Sequence, residues 1–156
     1  METSSLSSLK KELQTLPYPQ LVDLALRLAK YKKENKELLH YLLFEAHDDQ
    51  AYMNAIKLDV EQQFKEINYQ SLYFVKKSVR KVLRYVNKHI KYAAKPEVTI
   101  ELLLHFLQQY KRIPIRFDNS TVMVNLFAAQ LKKIDKELTK LHEDIQYDYR
   151  KELDSL

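Results

Sequence analysis

The sequence predicts an all-α protein, and three observations support this prediction. Apolar residues recur at three- and four-residue steps and nowhere alternate strictly over the length of a strand. The four prolines and the Asn/Asp clusters lie between these periodic segments, where helices begin and end. The 156 residues are 46% hydrophobic and 30% charged, which is a globular composition. We expect about six to seven antiparallel helices, no sheet, and a single all-helical domain over residues 1–156.

Proline and acidic residues mark the helix boundaries in the first half of the chain. A first helix over about residues 5–16 ends at Pro17, and Pro19 suits the first turn of the second helix. A third helix over about 38–46 has a broad leucine face, which we expect to be buried between neighbours. Asp48 and Asp49 offer an N-cap for a fourth helix over about 50–67.

Three more helices follow in the second half. The fifth runs over about 69–94, and Pro96 opens the sixth. Apolar residues cover most of the circumference of this sixth helix, so it should be the most buried. Pro114 closes it, and the Asp-Asn-Ser cluster at 118–120 caps a last, long helix that reaches about Leu153.

The last helix carries apolar residues at alternating steps of four and three, which is a heptad seam. These residues are Phe127, Leu131, Ile134, Leu138, Leu141 and Ile145. The seam covers fewer than three heptads, which is too short to indicate a coiled coil. We expect it to pack within the chain, and a homodimer through this helix is the alternative to a monomer.

The arrangement of the helices has two solutions that the sequence leaves open. One is an irregular helical bundle, and the other is a short right-handed α-solenoid that loosely resembles HEAT and armadillo stacks. No repeat motif is readable. The stretches NKELL at 35–39, LLFEA at 42–46 and LHEDIQYDY at 141–149 resemble an uncharacterised bacterial all-helical family. This resemblance implies a helical fold and no particular activity.

The residue types that the chain lacks exclude several classes of site. Without glycine it has no Walker, dinucleotide-binding, nucleophile-elbow or EF-hand loop. Without cysteine it has no disulfide, thiolate zinc site or catalytic thiol. No apolar run is long enough for a signal peptide or a transmembrane helix, so we expect a soluble, cytoplasmic protein.

Positive charge is concentrated in the predicted fifth helix. The chain has a net charge of +5, whereas residues 68–95 contain no Asp or Glu and carry +8, so the remainder carries −3. At 100° per residue, these basic residues fall within an arc of about 140°, opposite an apolar arc of about 100°. They are Lys76, Lys77, Arg80, Lys81, Arg84, Lys88, Lys91 and Lys95. Tyr73 points into the basic arc, and Phe74 flanks it.

This basic arc has three interpretations. It is a solvated face offset by acidic neighbours, or it docks an acidic protein or anionic lipid, or it binds nucleic acid. The acidic neighbours are Asp59, Glu61 and Glu66, or Glu143 and Asp144. Closely spaced like charges repel, which favours a partner that compensates them. We expect a non-enzymatic interaction or scaffold module, with a protein as the favoured partner. A nucleic-acid-associated protein is the alternative, although no helix-turn-helix, zinc-finger or RNA-recognition signature is present.

The histidines and carboxylates do not form a complete metal motif. Glu37 and His40 make one Glu-x-x-His pair, whereas a di-metal bundle site needs two such pairs and further carboxylates. The acidic clusters with histidine at 47–49 and 142–148 could form one site only if they met in space.

On the sixth helix, Glu101 and His105 lie one turn apart. This spacing on an apolar helix predicts a buried histidine held by a hydrogen bond rather than a ligand or base. We therefore expect no catalytic, metal-ligating or cofactor-binding residue, and no enzymatic activity.

Overall fold

The computed structural model describes residues 1–116 and 118–156. Helices make up 79% of the described residues, and no strand occurs in these two ranges, which confirms the all-α prediction. The described residues form eight α-helices, more than the six to seven predicted. They are α1 (Leu6–Thr15), α2 (Tyr18–Tyr31), α3 (Lys33–His40), α4 (Asp49–Lys65), α5 (Leu72–Ala93), α6 (Pro96–Lys111), α7 (Thr121–Leu138) and α8 (Glu143–Asp154).

Several helices begin where the sequence predicts. The Asp48 side chain accepts a hydrogen bond from the Ala51 amide at 3.0 Å at the start of α4. Pro96 is the first residue of α6. Ser120 accepts from the Met123 amide at 3.4 Å at the start of α7. The Asp48 and Ser120 caps each satisfy one of the amides that a helix N-terminus leaves without an internal partner, and Pro96 has no amide hydrogen to satisfy.

The predicted last helix is two helices, α7 and α8. The chain leaves α7 at Thr139, and His142 caps α8 by accepting from the Asp144 amide at 3.3 Å. Glu143 and Asp144 occupy the first turn of α8, where carboxylates complement the positive end of the helix dipole. The heptad pattern does not reveal where α8 starts, because the spacing of the apolar residues continues across the break.

The break also ends the heptad seam at Leu138. Ile134 and Leu138 are buried within the chain, whereas Ile145 lies on α8 and is exposed. The seam therefore packs intramolecularly along α7. A homodimer through the C-terminal helices stays a prediction.

Residue contacts divide the chain into two compact units, residues 1–44 and 45–156. The first contains α1 to α3, and the second contains α4 to α8. The arrangement of the helices as a right-handed solenoid is not confirmed. The single domain over residues 1–156 likewise stays a prediction.

The first unit has very little core. In residues 1–44, all of which the structure describes, Ala29 and Tyr41 are the buried apolar side chains. The leucine face of the predicted third helix was expected to be buried. This prediction is wrong at Leu42 and Leu43, whose side chains are more than half exposed. A π-helical turn, Tyr41–Glu45, follows α3. Because this turn is wider than an α-helical turn, it rotates these leucines relative to the face that α3 begins.

Helix α6 is the centre of the second unit. Helices α4, α5 and α7 all pack on it, and α4 also packs on α5. Nine of its residues are buried, more than in any other described helix, which confirms that it is the most buried one. Burial of each large apolar side chain contributes about 1.5–3 kcal/mol, so α6 supplies much of the stability of this unit.

Candidate anion-binding surface

Helix α5 is a continuous rod of 22 residues. Its N-cap is Ser71, whose hydroxyl accepts from the Phe74 amide at 3.3 Å. At its other end Ala94 adopts the left-handed conformation with φ 51°, and its amide donates to the Ile90 carbonyl at 2.9 Å. At 1.5 Å per residue the rod is about 33 Å long.

One side of α5 is buried in the core of the second unit. Its apolar residues follow steps of three and four and are at most 7% exposed. They are Val75, Val79, Val82, Val86 and Ile90. Because this side packs on α4 and α6, the opposite side of α5 faces away from both helices.

The basic residues of α5 lie on this outward side. Five of them are exposed, namely Lys77, Arg80, Lys81, Arg84 and Lys91, and Lys76 is half-buried. Across residues 1–116 and 118–156, none of these six has a carboxylate within 4.0 Å or a side-chain hydrogen bond. We call these six residues the open cationic face.

Three of the acidic residues expected to offset the charge have other contacts. Asp59 accepts a hydrogen bond from the Tyr85 hydroxyl at 2.5 Å. Glu61 lies 3.3 Å from the His105 ring nitrogen, and Glu66 accepts from a glutamine of its own helix. These carboxylates therefore do not form ion pairs with the open cationic face.

Two of the eight basic residues predicted for the face have contacts of their own. Lys95 follows α5 and caps α6, and its Nζ lies 2.6 and 2.7 Å from the two carboxylate oxygens of Asp49. The Nζ of Lys88 lies 5.7 Å from the centroid of the Tyr85 ring. We therefore leave Lys88 and Lys95 out of the open cationic face.

The structure adds one cation that the sequence did not indicate. Lys133 of α7 donates to the Asn87 side-chain oxygen at 2.7 Å. Burial lowers the pKa of Lys133, Glu137 raises it, and the charge of Lys91 lowers it. Lys133 thus places a further positive charge beside the C-terminal end of the face. No local pattern predicts this contact, because it joins residues 46 positions apart.

Two aromatic rings are exposed at the N-terminal end of the face. Tyr73 is 68% exposed and Phe74 is 46% exposed. Their ring centroids lie 5.5 Å apart in an edge-to-face arrangement. Tyr73 belongs to the predicted site, and the structure places it one helical turn before Lys76 and Lys77.

Glu101 and His105 both contact α4, and Glu101 also contacts α8. Glu101 accepts from the Lys57 ammonium at 2.5 Å and from the Tyr149 hydroxyl at 2.8 Å. The His105 side chain is 13% exposed and lies against Glu61. Desolvation by burial lowers the pKa of His105, and Glu61 partly opposes this effect. In the described chain Nε2 of His105 makes no hydrogen bond, and its contact with Glu61 of α4 is an ion pair only when His105 is protonated, so the predicted hydrogen bond is not seen at this nitrogen.

The two clusters of histidine and carboxylates serve as helix caps and ion-pair partners. Asp48 caps α4, His142 caps α8, and Asp49 binds Lys95. In the part of the chain that the structure describes, no three His, Cys, Asp or Glu side chains are grouped closely enough to hold a metal ion.

Comparison of the chain with protein families, with curated proteins and with solved structures gives no match. The resemblance to a bacterial all-helical family and the HEAT-like stacking gain no support from it. Among the described helices, none combines the length and the apolar character needed to cross a membrane.

Proposed function

We propose that this protein is a non-enzymatic interaction module that binds an anionic partner through the open cationic face of α5. The observation that carries the proposal is that six basic side chains spread along about 22 Å of helix lack ion-pair partners in the described chain. Like charges at this spacing repel and lower stability unless they are compensated. An anionic partner supplies that compensation, and the buried side of α5 keeps the face rigid.

Nucleic acid is the second candidate partner, beside an acidic protein surface. Phosphates are point anions that lysine and arginine bind well, and a helix that carries only basic charge suits them. The exposed ring of Tyr73 at the end of the face also favours this candidate. The cytoplasmic location and the choice between monomer and homodimer stay predictions.

Binding of heparin and of a DNA duplex tests the proposal. The variant carries Lys77→Glu, Arg80→Glu, Lys81→Glu and Arg84→Glu together. Four phosphate contacts predict that duplex affinity falls about 100-fold when monovalent salt rises from about 50 to about 200 mM. Fluorescence anisotropy should show this fall for the wild type, and the variant should bind at least about 100-fold more weakly at low salt.

A matched control changes the net charge equally at exposed sites on α1 to α3. It carries Lys11→Glu, Arg27→Glu, Lys30→Glu and Lys36→Glu, all at exposed positions. This control should keep most of the binding, and circular dichroism should show that both variants stay helical. Equal loss in both variants would mean that net charge, not the face, binds the polyanion. No binding of heparin or duplex at low salt would overturn the proposal.

A further inference from the structure

The exposed rings of Tyr73 and Phe74 lie outside the buried core of the second unit. Val75 follows them directly, is fully buried, and provides the packing at this end of α5. The two rings contact each other, and both remain substantially exposed. Exposed aromatic surface next to uncompensated positive charge is typical of a binding site rather than of a solvated face.

Tyr73 and the open cationic face form one linear array, and Phe74 borders it about 100° around the helix. Tyr73 lies at the centre of the basic arc, with Lys77, Arg80, Arg84 and Lys91 within about 40° of it along the helix. The array from Tyr73 to Lys91 is about 27 Å long, at 1.5 Å per residue. A nucleic-acid strand that runs along this array from the N-terminal end of α5 contacts an aromatic ring first and then basic side chains at each turn of the helix.

These two kinds of side chain correspond to the two parts of a nucleotide. Lysine and arginine bind phosphates, and aromatic rings stack on the faces of bases. In a duplex the base faces are stacked on one another, so only phosphates and groove edges are accessible. Phe74 has no hydrogen-bonding group with which to contact a phosphate. The exposed Phe74 ring can therefore stack on an unpaired base, whereas it contributes little to binding of a duplex backbone.

An anionic membrane fits this surface less well. An amphipathic helix binds a membrane through its apolar face, which enters the headgroup region. The apolar face of α5 is buried in the protein, since Val75, Val79 and Val86 are fully inaccessible. Two rings at one end of the helix leave little apolar area for insertion.

We infer that the partner of the open cationic face is a single-stranded nucleic acid. Unpaired bases stack on Tyr73 and Phe74, and the phosphates that follow bind the cations between Lys76 and Lys91. The inference rests on the proposed function, because it names the class of the anionic partner. It adds a residue, Phe74, to the predicted site.

The test compares a labelled single-stranded oligonucleotide of about 12 nucleotides with the duplex of the same sequence, in fluorescence anisotropy at one fixed low salt concentration. The variant carries Tyr73→Ala and Phe74→Ala. Stacking on an aromatic ring is worth about 1–3 kcal/mol per base, which predicts about 5- to 150-fold weaker single-strand binding for each stacked base lost. Duplex and heparin binding should change less than about threefold, because the cations are intact.

Three variants serve as controls. Tyr18→Ala with Tyr31→Ala removes two exposed tyrosines of α2 and should leave single-strand binding unchanged. Tyr73→Phe keeps the ring and should retain binding, which separates stacking from a hydrogen bond of the hydroxyl. Tyr73→Ala alone changes the more exposed ring and should already weaken single-strand binding, even if the double variant is destabilised.

The outcomes separate this inference from the proposed function. Absence of binding to every polyanion overturns both. Salt-dependent binding of heparin and duplex, with no preference for the single strand and no effect of the ring variants, overturns only the inference. Vesicles rich in phosphatidylserine test the membrane as a partner. If the protein bound these vesicles more tightly than the oligonucleotide, and the ring variants lost this binding, the partner would be a membrane instead of a nucleic acid.

Discussion

Glu101 connects three helices of the second unit through its two carboxylate oxygens. One oxygen accepts from Lys57 of α4, and the other accepts from Tyr149 of α8. The Glu101 side chain is only partly exposed, so these charge-assisted bonds are stronger than the same contacts would be on an open surface. The spacing of Glu101 and His105 in the sequence shows that they share a face of α6, but it does not show which helices their partners come from.

His105 gives the protein a predictable response to acid. Burial holds the pKa of His105 below its ordinary value of 6.5, against the opposing effect of Glu61. As the pH falls, the unfolded chain therefore binds a proton before the folded one does. The stability that neutral His105 contributes to the fold is fully present above about pH 6.5. As the pH falls below this value, the free energy of unfolding decreases by up to about 1.4 kcal/mol per pH unit.

Urea unfolding at about pH 7.5 and about pH 5 measures this response. In His105→Gln, which keeps a polar side chain and does not titrate, the difference in the free energy of unfolding between the two pH values should shrink. The control is His47→Gln at an exposed histidine, which should behave like the wild type. An unchanged pH dependence in His105→Gln would assign the acid response to other groups.

Helix ends account for the main difference between the predicted and observed elements. Ser, Asp and Pro signals located the starts of α4, α6 and α7, because Ser and Asp caps act on amides within the next three residues and proline fixes its own backbone φ near the helical value. The start of α8 at His142 was missed, since histidine is an uncommon cap and the apolar spacing continues across Leu141. The end of α5 is unusual in another way, because the chain has no glycine for a left-handed C-terminal residue.

Ala94 occupies that left-handed position and should be stabilised by a change to glycine. Among residues 1–116 and 118–156 it is the one non-glycine residue with positive φ. A Cβ atom costs about 1–2 kcal/mol in this conformation, partly offset by the greater flexibility of unfolded glycine. We expect Ala94→Gly to raise the free energy of unfolding by about 0.5–1 kcal/mol in chemical denaturation.

The neighbouring Ala93 provides the matched comparison. It is buried and lies within α5, so Ala93→Gly should lower the free energy of unfolding by about 1 kcal/mol. Equal destabilisation by the two substitutions would show that position 94 is helical in solution.

The distribution of buried side chains differs strongly between the two units. In residues 45–156 the core is built around α6, and Tyr110 shows how completely it is closed. Its ring is fully buried, its hydroxyl donates to the Met123 carbonyl at 2.8 Å, and burial raises the pKa of Tyr110 to about 12. Residues 1–44 bury little besides Ala29 and Tyr41, so their helices depend on far fewer packing contacts.

Hydrogen exchange should resolve this difference along the chain. Amides of α6 should be the most protected, with opening free energies close to that of global unfolding. Amides of α1 to α3 should exchange many times faster, because little apolar surface must be exposed to open them. Mass spectrometry of peptides after exchange at neutral pH would measure this difference in exchange rate. Comparable protection in the two units would show that residues 1–44 are stabilised by contacts that their own burial does not provide.

The candidate surface could be predicted from the sequence to the extent that it is a property of one helix. Side chains on an α-helix repeat every 3.6 residues, so the angular separation of the valines from the basic residues could be calculated from their positions. Three features could not be calculated in this way. Lys95 forms an ion pair with Asp49, Lys133 donates a hydrogen bond to Asn87, and the Phe74 ring is exposed. Each depends on a residue in another helix or on where the packing of α5 ends.

The amino-acid sequence was therefore sufficient for the helical class, most helix starts, the burial of α6 and the segregation of charge on α5, because these follow from interactions within a few residues. Contacts between distant segments were needed to establish which cations lack partners, which carboxylates are already engaged, and that the leucines of 1–44 stay exposed. The physical reason is that charge compensation and burial depend on distances through space, and helices far apart in the chain set those distances only when they pack.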